Sequence, residues 1–443
     1  MAYLVGVLII VVGVAISIAL HEIGHLVPAK KFGVRVTQYM IGFGPTLFSR
    51  KRGETEYGVK AIPLGGYIRM IGMFPPAKPD EPARRRPKTT SIWSTMADDA
   101  REAASQEIVP GEEHRAFYRL SVPKKLAVMF GGPFMNLILA VVILAVVISG
   151  IGLPSASTTV ASVSECVITH GEDREECAAQ DPAAPAFAAG VEPGDVLVSF
   201  DGQELTSWEE FSAQIRETPA EPTELVVERD GELQTLSLTP MVTPREVYDA
   251  EGELVVDSAG DPVTEDVGFA GITSQTQLQR QSPLEVPALV GDALVRTGQV
   301  ILTLPQRMVD ISNAAFGTGE RDPEGPVGVV GVGRFAGEIA AVDLEGYGMV
   351  ERVADLLGIL ASLNLALFAF NMIPLLPLDG GHIAGALWEG LRRTVARVRR
   401  RPDPGPVDVA KAMPLAYAVF AVVAVMSVLL IYADIVKPIT LSG

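Results

Sequence analysis

The sequence predicts a polytopic α-helical membrane protein with four transmembrane helices, a membrane-associated β-hairpin or small sheet, and an extracytoplasmic α+β domain. Three observations carry this. Apolar runs over 2–20, 126–150, 354–373 and 413–433 are each long enough to cross most of a bilayer's hydrocarbon core. The chain has 443 residues and a mean hydropathy of +0.29, more than one ordinary domain and inclined to membrane burial. Its net charge of −17 is unevenly spread: residues 28–125 carry +8, residues 153–352 carry −26 and residues 392–411 carry +5. Basic segments beside spans stay in the cytoplasm, whereas a long acidic domain can be exported. So acidic a chain is a poor ligand for nucleic acid.

Residues 1–27 form the first span. No basic residue occurs in residues 1–6 and no small-residue cleavage site precedes His21, so a retained span is expected rather than a signal peptide. The basic loop that follows makes its far face cytoplasmic and leaves Met1 outside. Residues 28–74 read as β-structure, because Val34-Arg35-Val36 and Thr55–Ile62 alternate and Gly53, Gly65 and Gly66 mark turns. Residues 75–125 hold a Pro- and Arg-rich stretch, expected to be a flexible cytoplasmic insert over 75–116. The second span, 126–152, opens on Gly131-Gly132-Pro133 and contains Asn136, small and polar residues suited to close helix contact.

The exported part begins with a β-rich module at 153–243. A turn at Ala188–Asp195 feeds a strand, and a helix near 207–216 precedes strands near 223–228 and 233–239. Cys166 and Cys177 fall here, where a disulfide is permitted; spacing alone leaves bridged and free thiols both open. Residues 244–352 combine a polar acidic loop at 244–266 with an amphipathic helix near 284–316 that Asp292 and Arg296 make too polar for a span. The third span, 353–382, ends in Asn371–His382, where Pro374 and Pro377 break the helix. A basic loop at 383–412 returns the chain to a fourth span and tail, 413–443, which end outside.

Chemistry concentrates at His21-Glu22-Ile23-Gly24-His25. Residues four apart on a helix differ by about 40° in direction, so both imidazoles can reach one ion. Ionisable groups are costly at membrane depth and mark function by default. Out–in, in–out, out–in topology brings Asp379 to the side of His25, so His21, His25 and Asp379 are candidate Zn2+ ligands, with a fourth position left for water. Glu22 is the candidate general base. Asn364 and Asn371 lie two turns apart on one helix face, suited either to an unwound substrate backbone or to interhelical hydrogen bonding. The hairpin at 34–72 offers either a sheet edge for strand addition or simple packing. His382, His114 and His170 read as structural or solvated.

These residues bring out a family resemblance. His21–His25, Tyr57–Tyr67, Gly132-Pro133 with Asn136, and Asn371–His382 together resemble the bacterial site-2 proteases, intramembrane zinc metalloproteases of regulated intramembrane proteolysis. The stretch 188–241 looks like a PDZ domain. The resemblance implies zinc on His21, His25 and Asp379, Glu22 as catalyst, and the 57–70 loop, with Gly65, Gly66 and Tyr67, handling substrate. It also implies a single-span substrate such as an anti-sigma factor already trimmed by a site-1 protease, with the PDZ domain excluding uncut forms by size. The location implied is the bacterial inner membrane, with both termini extracytoplasmic and the site near the cytoplasmic face. Two features depart from the family pattern: one PDZ domain where some relatives carry two, and the 75–116 insert. A catalytically silent PDZ scaffold is the alternative function. A metal-linked transporter fits less well, with four spans and no inverted repeat.

Overall fold

The computed structural model describes residues 1–75, 92–168, 177–178, 180–218, 220–247, 254–256, 262–317, 319, 321–323, 325–343 and 347–440. They divide into two compact units, Met1–Gly150 with Ser282–Gly443, and Ile151–Gln281.

The first unit is built on helix α1, Ala2–Lys31, apolar through its first two-thirds and continuing unbroken through both histidines. Helix α3 (Val122–Ala145, extended by a π-turn to Ile151) packs against it, as does α8, Met349–Asn371. With the final helix α10, Met413–Val436, these are four helices apolar and long enough to cross a membrane. The α1–α3 crossing is set by glycine. A Cβ on Gly24 would lie 2.2 Å from the Gly131 carbonyl oxygen, and one on Gly131 would lie 2.1 Å from that of Gly24. Only two bare backbones can approach this closely.

Strands β1 (Val36–Arg52) and β2 (Thr55–Met70) form a ribbon that folds over on itself. Gln38–Ile41 pair on one side with residues 66–69 and on the other with residues 56–59, while Thr46–Arg52 pair with residues 55–60. Residues 66–70 thus have a strand on one side only, among the described residues. The Tyr39 hydroxyl donates to the Ala19 carbonyl at 2.8 Å and ties this sheet to α1.

The insert is more ordered than its composition implies. Its stretch 76–91 lies outside the described residues, but Ile92–Gln106 form an amphipathic helix, α2, packed on α10 and the turn before it. Arg101, in the second half of α2, pairs with Asp408, and Glu107, just past its end, pairs with Arg69 of β2. Arg35 and Arg115 meet Glu54 and Glu112, and the Arg115 guanidinium holds the Glu54 carboxyl below the ordinary carboxylate range. Among the described residues of the insert, Arg101, Glu107, Glu112 and Arg115 are spent on ion pairs.

Three helices complete this unit. Helix α6, Val286–Phe316, buries Met308, Ile311 and Ala315 against α10. Helix α7, Val329–Ala341, was hidden in the sequence; Ala336 and Ile339 cluster with Ile10 and Leu356. Asp434 fixes its start, accepting from the Gly328 and Gly331 N–H groups at 3.0 and 2.8 Å and from Arg321 at 2.9 Å. Helix α9, Asp379–Val398, follows the break at 372–378.

The second unit is a sheet ordered β10-β3-β4-β6-β7, with β5 paired to β4. Its strands are β3 (Leu153–Val163), β4 (Val196–Phe200), β5 (Gln203–Glu204), β6 (Thr223–Arg229), β7 (Glu232–Leu238) and β10 (Ile272–Gln279). Helices α4 (Pro185–Ala189) and α5 (Trp208–Glu217) join them, and Phe200, Phe211, Leu197, Leu225 and Val227 are core residues. The stretch expected as a loop at 244–266 is bounded by strands β8 (Met241–Glu246) and β9 (Thr264–Phe269), which pair; residues 248–253 and 257–261 lie outside the described residues. The module therefore extends to β10, beyond the boundary at 243. Cys166 and Cys177 are joined, with Cα atoms 5.9 Å apart.

Asp195 is the polar node of this unit. It is 1% exposed, accepts from Arg229 Nε and Nη2 at 2.7 and 2.8 Å, and accepts from the Glu192 N–H at 2.9 Å. Burial alone would raise its pKa, but the guanidinium and the amide outweigh burial and hold the carboxyl below its ordinary value. The native pKa being the lower one, the pair stabilises the unit fully above the unfolded-state value of about 3.9. That stabilisation fades as pH falls through the native value. Replacing Arg229 with Ala should cost this unit about 2 kcal/mol at neutral pH, since Asp195 stays buried with its main partner gone. Amide exchange over β4 and β6 should speed up accordingly, and the difference from wild type should shrink in acid.

Candidate metal centre

His21 and His25 project from the same side of α1, and Asp379 is the first residue of α9. Three local features bring that carboxylate in. The 372–378 segment leaves the α8 axis in tight turns, with Leu375 N–H donating to Ile373 O and Leu378 N–H to Leu375 O. Gly380 and Gly381 let α9 sit on this segment, because a Cβ on either would fall 2.2 Å from Ile373 O or 2.6 Å from Leu376 N. An ionised carboxylate is also favoured in the first turn of a helix.

The three side chains converge. Both His21 Nε2 and His25 Nε2 lie 3.3 Å from Asp379 Oδ2, and the two Nε2 atoms are 3.2 Å apart. Among the described residues no other group of three or more His, Cys, Asp or Glu donors is arranged to hold an ion. Tetrahedral donors about 2.0–2.1 Å from one zinc ion are separated by about 3.3–3.4 Å, so the geometry fits such an ion without rearrangement. The donor chemistry fits as well. His25 Nδ1 donates to the Val128 carbonyl at 2.8 Å, which leaves its Nε2 lone pair directed at the centre.

Glu22 lies between the candidate metal ligands and the sheet, 8% exposed. A Cβ on Gly66 would come 3.0 Å from Glu22 Cγ and 2.9 Å from Ile18 Cγ2, so glycine is what allows the edge segment to pass over this face of α1. Gly65 has φ +91°, a left-handed conformation that a side chain disfavours, and leads into that segment. Tyr67 stacks on Phe43, ring centroids 6.2 Å apart, with Lys60 Nζ over its face.

The two asparagines separate. Asn371 closes α8, half-buried, at the mouth of the broken segment. Asn364 is wholly buried, and its Nδ2 donates to Ser17 Oγ at 3.0 Å and to Leu360 O at 2.8 Å. Its donors are thus engaged between α1 and α8, the interhelical one of the two roles its residue type allows. Sequence reasoning passed over Ser17, although it lies one turn before His21. It also passed over the Val128 carbonyl, which no residue type could announce. Asn136, 1% exposed and one turn beyond Gly132, leaves both amide atoms without a partner among the described residues, as do His21 Nδ1 and Asn364 Oδ1. His382 is half-buried on α9, His114 is exposed, and His170 lies outside the described residues.

Known proteins match this arrangement over the same stretch. Residues 9–402, from α1 through His21, His25 and Asp379 to the end of α9, match the family described as Peptidase family M50. The chain belongs to peptidase family M50. Within M50 it is 33% identical over 456 residues to the zinc metalloprotease Rip1 of Mycobacterium tuberculosis, with all of both chains covered. Rip1 of Mycolicibacterium smegmatis is 32% identical over 453 residues, again across all of both chains. The metalloprotease MmpA of Caulobacter vibrioides is 26% identical over 412 residues, covering 89% of this chain and 90% of its own.

The M50 centre depends on one more bare position. A Cβ on Gly132 would lie 2.1 Å from His25 Nε2. Gly132→Ala should therefore push His25 off its position and lower metal affinity by at least about tenfold, the scale seen for lost ligand support. Metal content after dialysis against a graded chelator checks this, with helicity as the control for folding.

Proposed function

We propose that this chain is an intramembrane zinc metalloprotease that hydrolyses a peptide bond within or near the transmembrane helix of a single-span membrane protein. The observation that carries the reading is the meeting of His21, His25 and Asp379 at 3.2–3.3 Å on helices of a membrane-spanning unit, with Glu22 beside them. Relatives named zinc metalloproteases along the whole chain support zinc as the ion. When bound, zinc supplies Lewis acidity to the scissile carbonyl and makes water nucleophilic near neutral pH. Glu22 takes the proton of the attacking water and returns it to the leaving amine. Val128, through its carbonyl, keeps His25 in the ligating tautomer.

Residues 66–70 receive the substrate as an added strand, since the sheet ends there beside Glu22. Gly65 and Gly66 let that edge run close beside Glu22, Tyr67 contacts the substrate, and Asn371 hydrogen-bonds its unwound backbone. The fitting substrate is an anti-sigma factor previously cut by a site-1 protease, in regulated intramembrane proteolysis. The unit Ile151–Gln281 acts as a PDZ-like domain that excludes uncut forms. The protein sits in the bacterial inner membrane with both termini extracytoplasmic and the site near the cytoplasmic face, which the basic segments 28–125 and 392–411 support.

Glu22→Gln should remove cleavage of a reconstituted single-span substrate while zinc stays bound, and Asp379→Ala should lower zinc content as well. Retained cleavage by Glu22→Gln would reject its role, and full zinc occupancy in Asp379→Ala would point to another ligand. For the sheet, Ile68→Pro should reduce turnover at least about tenfold at unchanged zinc content, because proline cannot donate to an added strand. Unchanged turnover would leave the edge a packing feature.

A further inference from the structure

Helix α9 buries one side and leaves the other bare. Its inward side carries Gly380, Gly381, Ala386 and Glu389. Glu389, 2% exposed, accepts from Lys125 Nζ at 2.7 Å and from the Val407 N–H at 3.1 Å. Arg393 is bound to the same carboxylate. On the opposite side Leu387, Trp388, Leu391, Val395 and Val398 are 56, 56, 54, 39 and 78% exposed. At about 100° per residue they form one stripe about 100° wide. An open cavity of about 350 Å³ lies along it, lined by Trp388, Leu391 and Val395 together with Arg392, Arg399 and Arg401. No acidic residue lines that cavity, and among the described residues none of the three arginines is paired with a carboxylate.

The two ends of α9 say where this face lies. It follows the candidate span α8 through residues 372–378 and precedes the candidate span α10 through residues 399–412. Both tethers hold it at the membrane boundary that those two helix ends share. An apolar stripe with a Trp and a cluster of Arg at its border is what an interfacial helix needs, acyl chains on one side and phosphates on the other. A protein partner would have to compete with lipid for a surface that lipid already reaches.

We propose that the α9 cavity is a binding site for the headgroup of an anionic phospholipid. Arg392, Arg399 and Arg401 take the phosphate, and the acyl chains lie along Leu387, Leu391 and Val398. Three guanidinium groups without a counter-ion match a headgroup with net negative charge better than a zwitterionic one, whose own cation they repel. Because α9 begins at Asp379, the lipid also steadies the helix that presents that carboxylate.

The test uses the full chain with Trp93→Phe and Trp208→Phe, leaving Trp388 as its one indole. It is reconstituted in phosphatidylcholine nanodiscs containing a minor fraction of brominated phosphatidylglycerol or, separately, brominated phosphatidylcholine. Bromine on the acyl chain quenches only an indole in contact with it. Phosphatidylglycerol should be enriched at Trp388 over phosphatidylcholine. That preference should drop about fivefold for each of Arg392→Gln, Arg399→Gln and Arg401→Gln, the fold-change equivalent of about 1 kcal/mol. Arg401 follows the helix, so its variant keeps the test informative should the others disturb folding. Equal quenching by both lipids, unaffected by the three changes, would overturn the proposal and leave an unselective lipid-facing surface. Displacement by soluble glycerol phosphate at matched concentration would overturn it in favour of a free-phosphate site. Absence of quenching with association of copies would overturn it in favour of a protein interface.

Discussion

Two imidazoles and a carboxylate have to share one point in surroundings where an unpaired ionisable group is expensive. His21 and His25 come from one helix, α1, and Asp379 opens another, α9, with α2 to α8 between them in the chain. The separations of 3.2–3.3 Å leave no slack. Nitrogen lone pairs this close repel unless a cation or proton lies between them, so the geometry suits a cation site. Everything near it is arranged to permit that convergence. Gly24, Gly131 and Gly132 bring α3 onto α1, Gly380 and Gly381 seat α9 on the broken segment, and the Val128 carbonyl orients His25.

The same logic of close approach extends to the sheet. Its residues 66–70 cross the face of α1 that carries Glu22, and glycine at 66 is what allows them to do so. The sheet is held by Tyr39 to α1, by Arg69 to Glu107, and by the Arg35, Arg115, Glu54 and Glu112 cluster to the end of the insert. Helix α2 in turn reaches Asp408, next to the start of α10. The described part of the insert therefore links the sheet beside the candidate metal centre to the last candidate span, through Arg101, Glu107, Glu112 and Arg115. Away from the centre, Asp434 and Arg321 perform a comparable service, pinning the start of α7 against α10 so that α7 can cover the N-terminal half of α1.

Legibility in the sequence tracked how local the cause was. Four long apolar runs announce four candidate spans because length and hydropathy suffice. Helix α7 did not announce itself: its valines and glycines carry no start signal, and its N–H groups are capped by Asp434 more than a hundred residues on. Helix α2 was masked by flanking prolines and charges, and the partner of its Arg101, Asp408, lies far along the chain. In the second unit, β10 completes the sheet beside β3 across more than a hundred residues, so no local pattern could count it in. Asn364 shows the same limit in reverse. Its residue type allowed two roles, and only the position of Ser17 separates them.

The amino-acid sequence by itself determined the chemistry on offer: a helical His-x-x-x-His spacing with a glutamate inside it, an aspartate after a proline-broken apolar helix, and charge asymmetry about the spans. Those follow from the periodicity of a helix and the cost of polar groups in hydrocarbon, both readable along the chain. Only the tertiary structure decided which carboxylate meets the imidazoles, which backbone oxygen orients His25, and which asparagine is consumed by packing. Those depend on how closely two backbones approach, and that distance is set jointly by residues hundreds of positions apart.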